Sequence, residues 1–176
     1  MSIILVNNIK YQSDKTKAFE IRNLVFCEEQ KVSKKIEFDG LDQFCDHYLA
    51  KINKFPIGTA RVREQKKGIF KIERMAVLMR YRKKGVGKAI IKKILKHYLN
   101  LNNINKLILN SQIEAKDFYK KFGFVEVGEE FIEANITHKK MIYEDKWCRH
   151  TDSNRGPDDY KSTALPTELR RHIFFL

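Results

Sequence analysis

Apolar residues recur along this chain at two periods, and the switch between them separates strands from helices. The apolar patch in MSIILVNNIKYQSDK reads as a first strand. Ser13 or Asp14 can cap a helix running to about Gln30, with Phe19, Arg22, Val25 and Phe26 at helical spacing. Residues 31–43 are polar, contain Asp39-Gly40 and read as a loop. Three strand candidates follow, Phe44 to Lys51, Pro56 to Glu64 and Ile69 to Leu78. Asn53-Lys54 and Lys66-Lys67-Gly68 supply the turns, so the three are predicted as antiparallel neighbours. The clearest helix covers 85–100. Val86, Ile90, Ile94 and Tyr98, with Ile91, Leu95 and Leu99, form one face, and Lys88, Lys92, Lys93 and Lys96 the other. Lys106 to Asn110 reads as a short buried strand and Gln112 to Phe122 as a second helix. Phe124 to Val127 and Lys139 to Tyr143 complete the sheet. The predicted fold is α/β, with about seven mixed strands and helices on the sheet's faces.

Length and composition narrow this picture. The 176 residues suffice for one domain with a proper core, and 43% of them are apolar. No apolar run approaches the roughly 18 residues of a membrane helix. The N-terminus has no basic start and no small-residue cleavage site, so a cytoplasmic protein with no membrane partner is expected. Cys27, Cys45 and Cys148 are odd in number and show no C-x-x-C spacing, which argues for reduced thiols rather than disulfides or zinc.

The net charge of +13 falls entirely within residues 1–143, where 29 basic and 16 acidic side chains give 29 − 16 = +13. Lysine supplies most of it, and lysine scattered on solvated faces accounts for the excess. A basic nucleic-acid-binding module is the alternative this charge raises. No aromatic-and-basic RNA motif or DNA-reading helix accompanies it, which argues against a nucleic-acid partner.

Composition changes near residue 144. The segment 144–176 holds two of the three prolines and the only Trp, is rich in turn formers and lacks a sustained apolar period. Its stretch RHTDSNRGPDDYKSTALPTELRR resembles one found at the ends of unrelated predicted proteins whose reading frame runs into a tRNA gene. The functional domain is expected over 1–143, with 144–176 a disordered tail.

One junction carries candidate chemistry. After the strand 69–78, the run Arg82-Lys83-Lys84-Gly85-Val86-Gly87-Lys88 opens the amphipathic helix. A helix N-terminus presents unpaired N–H groups and a partial positive charge, and glycines admit a ligand close to the backbone. The junction therefore suits a pyrophosphate. A side chain added at Gly85 or Gly87 is expected to stand between those N–H groups and the phosphates. A tight strand-to-helix turn with no ligand would use the same glycines. The P-loop pattern is absent, because no Ser or Thr follows Lys88 and no Gly stands at the upstream position. The Rossmann pattern is absent too, for want of a third glycine.

Met75-Ala76-Val77 followed by Arg82-x-x-Gly85-x-Gly87 resembles the acetyl-CoA-binding motif of the GNAT N-acetyltransferase superfamily. Ala115-x-x-x-Tyr119-x-x-x-Gly123-Phe124 resembles that family's late motif, with Gln112 in place of its Asn. Residues 1–143 as a whole resemble a bacterial subgroup of predicted acetyltransferases, most clearly at Val25-Phe26-Cys27-Glu28-Glu29-Gln30 and from Phe118-Tyr119 to Gly128-Glu129-Glu130-Phe131. The resemblance implies a mostly antiparallel sheet in which strands 69–78 and 106–110 splay to form a cofactor wedge. It also implies an acetyl-CoA-dependent N-acetyltransferase with no metal. Backbone groups of Met75, Ala76 and Val77 would meet the pantetheine arm, and Arg82, Lys83, Lys84, Gly85, Val86, Gly87 and Lys88 the pyrophosphate. Gln112 would contribute a hydrogen bond. A GNAT fold that binds acyl-CoA without catalysis, and a homodimer, both stay open at this level.

Amine acetylation needs a neutral amine, so a proton acceptor is required. Glu73 is the first candidate because it shares strand parity with Met75 and Val77, followed by Glu28 and Glu29. Tyr119, from the matched motif, would give a hydrogen bond or proton to the departing thiolate. His47, His97 and His138 fall in no ligand pattern.

Overall fold

The computed structural model describes residues 3–9, 11–101 and 104–144, with backbone alone at 12–14. Contacts divide the chain into Met1–Tyr143 and Glu144–Leu176. Beyond Glu144 the second unit, with Cys148 and the expected tail, lies outside the described residues. In chain order the elements are β1 (Ile4–Ile9), α1 (Tyr11–Arg22), α2 (Lys34–Glu37), β2 (Cys45–Ile52), β3 (Phe55–Lys66), β4 (Ile69–Val77), α3 (Val86–Tyr98), β5 (Lys106–Gln112), α4 (Lys116–Lys120), β6 (Phe124–Glu133) and β7 (Ile136–Tyr143). The strands form one seven-stranded sheet in the order β1-β2-β3-β4-β5-β7-β6. Every pairing is antiparallel except β4 with β5. That parallel pair needs a crossover, and α3 supplies it.

Each face of the sheet is covered by the helix whose apolar stripe fits it. Ile90, Ile91, Ile94 and Tyr98 of α3 pack on Ile57, Val62, Ile72, Leu107 and Leu109. Ala18, Ile21 and Val25 pack on Ile9, Leu49 and Ala76 of the opposite face. Gly58 sets how closely α3 approaches: a Cβ there would lie 3.0 Å from Val86 Cγ1 and 3.1 Å from Ile90 Cδ1.

Four expected boundaries change. The first helix begins at Tyr11, ahead of Ser13 and Asp14, and continues as a π-helical segment over Asn23–Glu29. The presumed loop 31–43 contains α2, whose Ser33 hydroxyl accepts from the Ile36 N–H at 3.4 Å, and a 3₁₀ turn at Asp42–Phe44. Gln112 ends a strand, and a 3₁₀ turn at Ile113–Ala115 separates it from the short α4. β6 passes through a register shift near Gly128 (φ 66°) and so runs on to Glu133.

The segment 31–43 is ordered by charge. Arg22 projects from α1 into the protein at 1% exposure. Its guanidinium lies 2.5 Å from both Glu37 Oε1 and Asp42 Oδ1. Arg61 of β3, equally buried, reaches Asp39 at 2.6 Å, Glu73 at 3.0 Å and Asp42 at 3.1 Å. Buried ions persist only when paired and hydrogen-bonded. Two arginines under α1 thus require acidic residues beside them, and residues 31–43 deliver Glu37, Asp39 and Asp42. Arg22→Met strands part of that negative charge and should lower stability by about 3–5 kcal/mol. Urea unfolding tests this, and a loss below about 1 kcal/mol would show the network to be dispensable.

His47 adds a pH term. Its Nε2–H donates to the Asp42 carbonyl at 2.8 Å, and Nδ1 is buried without a partner. Burial depresses its pKa below the usual 6.5, against the opposing hydrogen bond and charge of Asp42. The unfolded chain therefore takes the proton first, and stability falls as pH drops below about 6.5. His47→Gln should flatten that part of the pH dependence of the urea midpoint. An unchanged slope would place the titration elsewhere.

Candidate active site

β4 and β5 pair only from Ile69 to Ile72 and from Lys106 to Leu109. Past that point β5 continues alongside β7, while β4 stays with β3. The divergence coincides with a bulge on β4. Thr59 pairs with Ala76 but Arg61 pairs with Glu73, so β4 carries one extra residue there, and Arg74 takes φ 52°. Bulges bend and twist a strand. Here the bend leaves one edge of Glu73–Val77 without a strand neighbour, facing a cavity of about 360 Å³. Met75, Ala76 and Val77 line it from β4, Asn110 and Gln112 from β5, Tyr119 from α4, Phe26 from the π-helical segment and Gln30 from its C-cap, and Glu133, Ile136 and His138 from the β6–β7 hairpin.

The bulge overturns the expected parity of Glu73. Because Thr59 and Arg61 share a face, so do Ala76 and Glu73, and Met75 falls on the other. Glu73 does line the cavity, but its carboxylate is occupied by Arg61 at 3.0 Å and by Arg63 and Lys71 at 3.2 Å each. Burial pushes its pKa up, yet the Arg63 hydrogen bond and the Arg61 and Lys71 charges outweigh that and hold it below the usual value. Such a carboxylate is a weakened proton acceptor. Glu29 is likewise engaged, in a two-pronged pair with Arg82 at 2.6 Å on each oxygen, and Glu28 accepts from Asn23.

Arg82 lines the cavity as well, and three residues further on the chain reaches the α3 N-terminus. Gly85 is its N-cap at φ 84°, with no side-chain cap, and Lys83 also has positive φ. Lys83, Lys84, Gly85 and Lys88 are exposed there, whereas Val86 is buried in the core and offers only its backbone. Arg82 is turned to structural use: besides Glu29, its Nε donates to the Val77 carbonyl at 2.9 Å. Gly87 also differs from expectation. A Cβ there would meet Phe118 Cζ at 3.2 Å and Met75 Cε at 3.3 Å, so its missing side chain makes room for the cavity wall.

Tyr119 and Met75 meet across the wedge, the Tyr119 hydroxyl donating to Met75 Sδ at 3.4 Å. Burial raises the pKa of that phenol above its ordinary value of 10, so it carries its proton at neutral pH. Gln112 donates to Gln30 Oε1 at 3.0 Å, tying β5 to the end of the π-helical segment. Sequence reasoning missed Asn110, Glu133 and His138, which only strand pairing brings to the cavity; Asn110 Nδ2 donates to Glu133 Oε2 at 2.9 Å. Among the described residues no His, Cys, Asp and Glu side chains are grouped for a metal, and no helix is long and apolar enough to cross a membrane.

The family model described as "Acetyltransferase (GNAT) domain" matches residues 11–144. A Bacillus subtilis (strain 168) protein, BSU40680, named provisionally as an acetyltransferase, is 38% identical over 143 residues, covering 80% of this chain and 96% of its own. The uncharacterized N-acetyltransferase YjcF of the same organism is 36% identical over 143 residues, covering 81% and 99%. The crystal structure of Escherichia coli ElaA superposes with a TM-score of 0.73 at 23% identity, covering 81% of this chain and all of that one, which shows a shared fold.

The two glycines should respond differently to a methyl group. Gly85→Ala forces a left-handed backbone on an L-residue and should cost about 1–2 kcal/mol. Gly87→Ala should be close to neutral, because a helix-propensity gain of about 1 kcal/mol offsets the small shift required of the Met75 methyl and the Phe118 ring. Chemical denaturation of both variants checks the order, and a larger loss at Gly87 would reverse it.

Proposed function

This chain belongs to the GNAT acetyltransferase family, and we propose that it transfers an acetyl group from acetyl-coenzyme A to a primary amine of a small molecule or peptide. The observation that carries this reading is the continuity of one cavity, from Arg82, three residues before the Gly85 N-cap of α3, past the open edge of β4 to Tyr119. Each stretch suits one part of the co-substrate. The uncapped N–H groups of α3, with Lys83, Lys84 and Lys88 around them, suit the pyrophosphate. The edge of Met75–Val77 offers backbone groups to the pantetheine amides. The thioester then falls near the bulge, where a fixed backbone N–H can stabilise the oxyanion of the tetrahedral intermediate.

The amine nitrogen attacks the thioester carbon, and collapse of the intermediate breaks the carbon–sulfur bond. The electron pair leaves on sulfur, and in this reading the Tyr119 hydroxyl, which keeps its proton at neutral pH, supplies the thiolate's proton. In this reading Glu73 acts as the counter-ion of Arg61, Arg63 and Lys71, and Arg82 holds the cofactor loop in shape. Five of the six arginines in 1–143, namely Arg22, Arg61, Arg63, Arg74 and Arg82, are neutralised in ion pairs. Apart from the exposed Arg80, the surplus positive charge is thus lysine, which offers no planar guanidinium fork for nucleic acid.

Acetyl-CoA at about 100 times its Kd should stabilise the protein by about 2.7 kcal/mol, read as a rise in Tm. No shift at millimolar acetyl-CoA would sink the reading. Tyr119→Phe should keep that shift and lower kcat by about a hundredfold, measured as thiol release with an amine that the wild type acetylates. Full activity in Tyr119→Phe would remove the hydroxyl from the mechanism.

A further inference from the structure

The transferase reading leaves one requirement without a residue: a group that takes the proton from the arriving ammonium. Of the three carboxylates of the cavity wall, two have both oxygens committed. Glu37 is paired through Oε1 with Arg22 and through Oε2 with Arg74, and Glu73 is held by Arg61, Arg63 and Lys71. Glu133 shares an oxygen with Asn110, and a carboxylate is by nature a far weaker base than an imidazole.

His138 lines the same cavity. On β7 it stands opposite Gln112 of β5 and Phe131 of β6, so it lies on the sheet face those residues share. Two contacts fix the ring. Phe131 stacks on it at 6.0 Å between centroids, and Nδ1 lies 2.8 Å from the Ile136 carbonyl oxygen. A carbonyl oxygen only accepts, so Nδ1 carries the hydrogen and the neutral ring keeps its lone pair on Nε2. Beside Gln112 on β5, the same cavity is lined by the charged and titratable groups Glu133 from β6, Lys71, Glu73 and Arg74 from β4, Tyr119 from α4, and Glu37 and Arg82. His47 and His97 are committed to the fold, through the Asp42 carbonyl and the Tyr48 hydroxyl.

We propose that His138, oriented by Ile136 and Phe131, is the general base that deprotonates the acceptor ammonium. This rests on the transferase reading above. Nε2 takes one proton from the ammonium, and the freed nitrogen lone pair forms the bond to the thioester carbon. As the carbon–sulfur bond breaks, the sulfur takes a proton from Tyr119. The nitrogen loses its second proton as the amide forms, restoring the Tyr119 hydroxyl directly or through water. His138 returns its proton to solvent, so the sum is amide, free thiol and one released proton.

The test compares two nucleophiles in full-length His138→Ala and His138→Gln. Methylamine is protonated at neutral pH and needs a base; hydroxylamine is already neutral. Both variants should bind acetyl-CoA with wild-type affinity by calorimetry, melt near the wild-type temperature and acetylate methylamine about 100-fold more slowly, while hydroxylamine turnover falls no more than about threefold. Equal losses with both nucleophiles, or no loss with methylamine, would overturn His138 as base and leave the transferase reading standing. A wild type that binds acetyl-CoA but acetylates neither probe would also overturn it. A wild type that binds no acetyl-CoA removes the reading itself, and the role of His138 with it.

Discussion

The architecture depends on neutralising positive charge that the fold has drawn out of water. Arg22 and Arg61 are each 1% exposed, one on the helix that covers the sheet and one on the sheet beneath it. An unpaired guanidinium in that position would cost more than the hydrophobic contacts around it return. The chain between α1 and β2 is accordingly pulled inward until Glu37, Asp39 and Asp42 meet the two cations. Val32, Ile36 and Glu37 become part of the cavity wall as a result. A requirement of stability therefore shapes the side from which an acceptor would approach.

The second organising element is geometric. One extra residue in β4 reverses side-chain parity beyond Arg74 and turns the strand away from β5. Without the bulge the parallel pairing could continue past Leu109, and the backbone edge that faces the cavity would be consumed by a ladder. The same bulge sends Met75 toward Tyr119 and Glu73 toward the cationic cluster, so two neighbours on one strand serve separate ends.

Much of this was legible in the sequence, and the reasons for the remainder are specific. The α3 stripe from Val86 to Tyr98 stood out because four buried positions repeat at one helical period. The glycine-bearing turn at Arg82–Lys88 was legible because helix N-termini and left-handed turns select few residue types. The bulge was not, since Arg74 has no local mark of a positive φ and only pairing with β3 reveals it. The parity assigned to Glu73 failed for that reason. Residues 31–43 were read as loop because their charges suggested solvent; Arg22, a charge at a core position of an amphipathic pattern, was the signal that counter-ions had to be nearby. His138 could not be found from spacing, because strand pairing alone sets it opposite Gln112.

The π-helical segment Asn23–Glu29 is fastened at both ends by charge: Arg22 before it is tied to Glu37 and Asp42, and Glu29 at its end to Arg82. A π turn is a rare conformation that tertiary contacts must hold in place. With both anchors set, the number of residues between them matters more than their identity. Adding one residue would rotate Glu29 by about a quarter turn away from Arg82, whereas removing one would let the helix relax to α geometry with Glu29 near its present bearing. Substitutions at exposed Leu24 can then drift freely, while insertions between the anchors cannot.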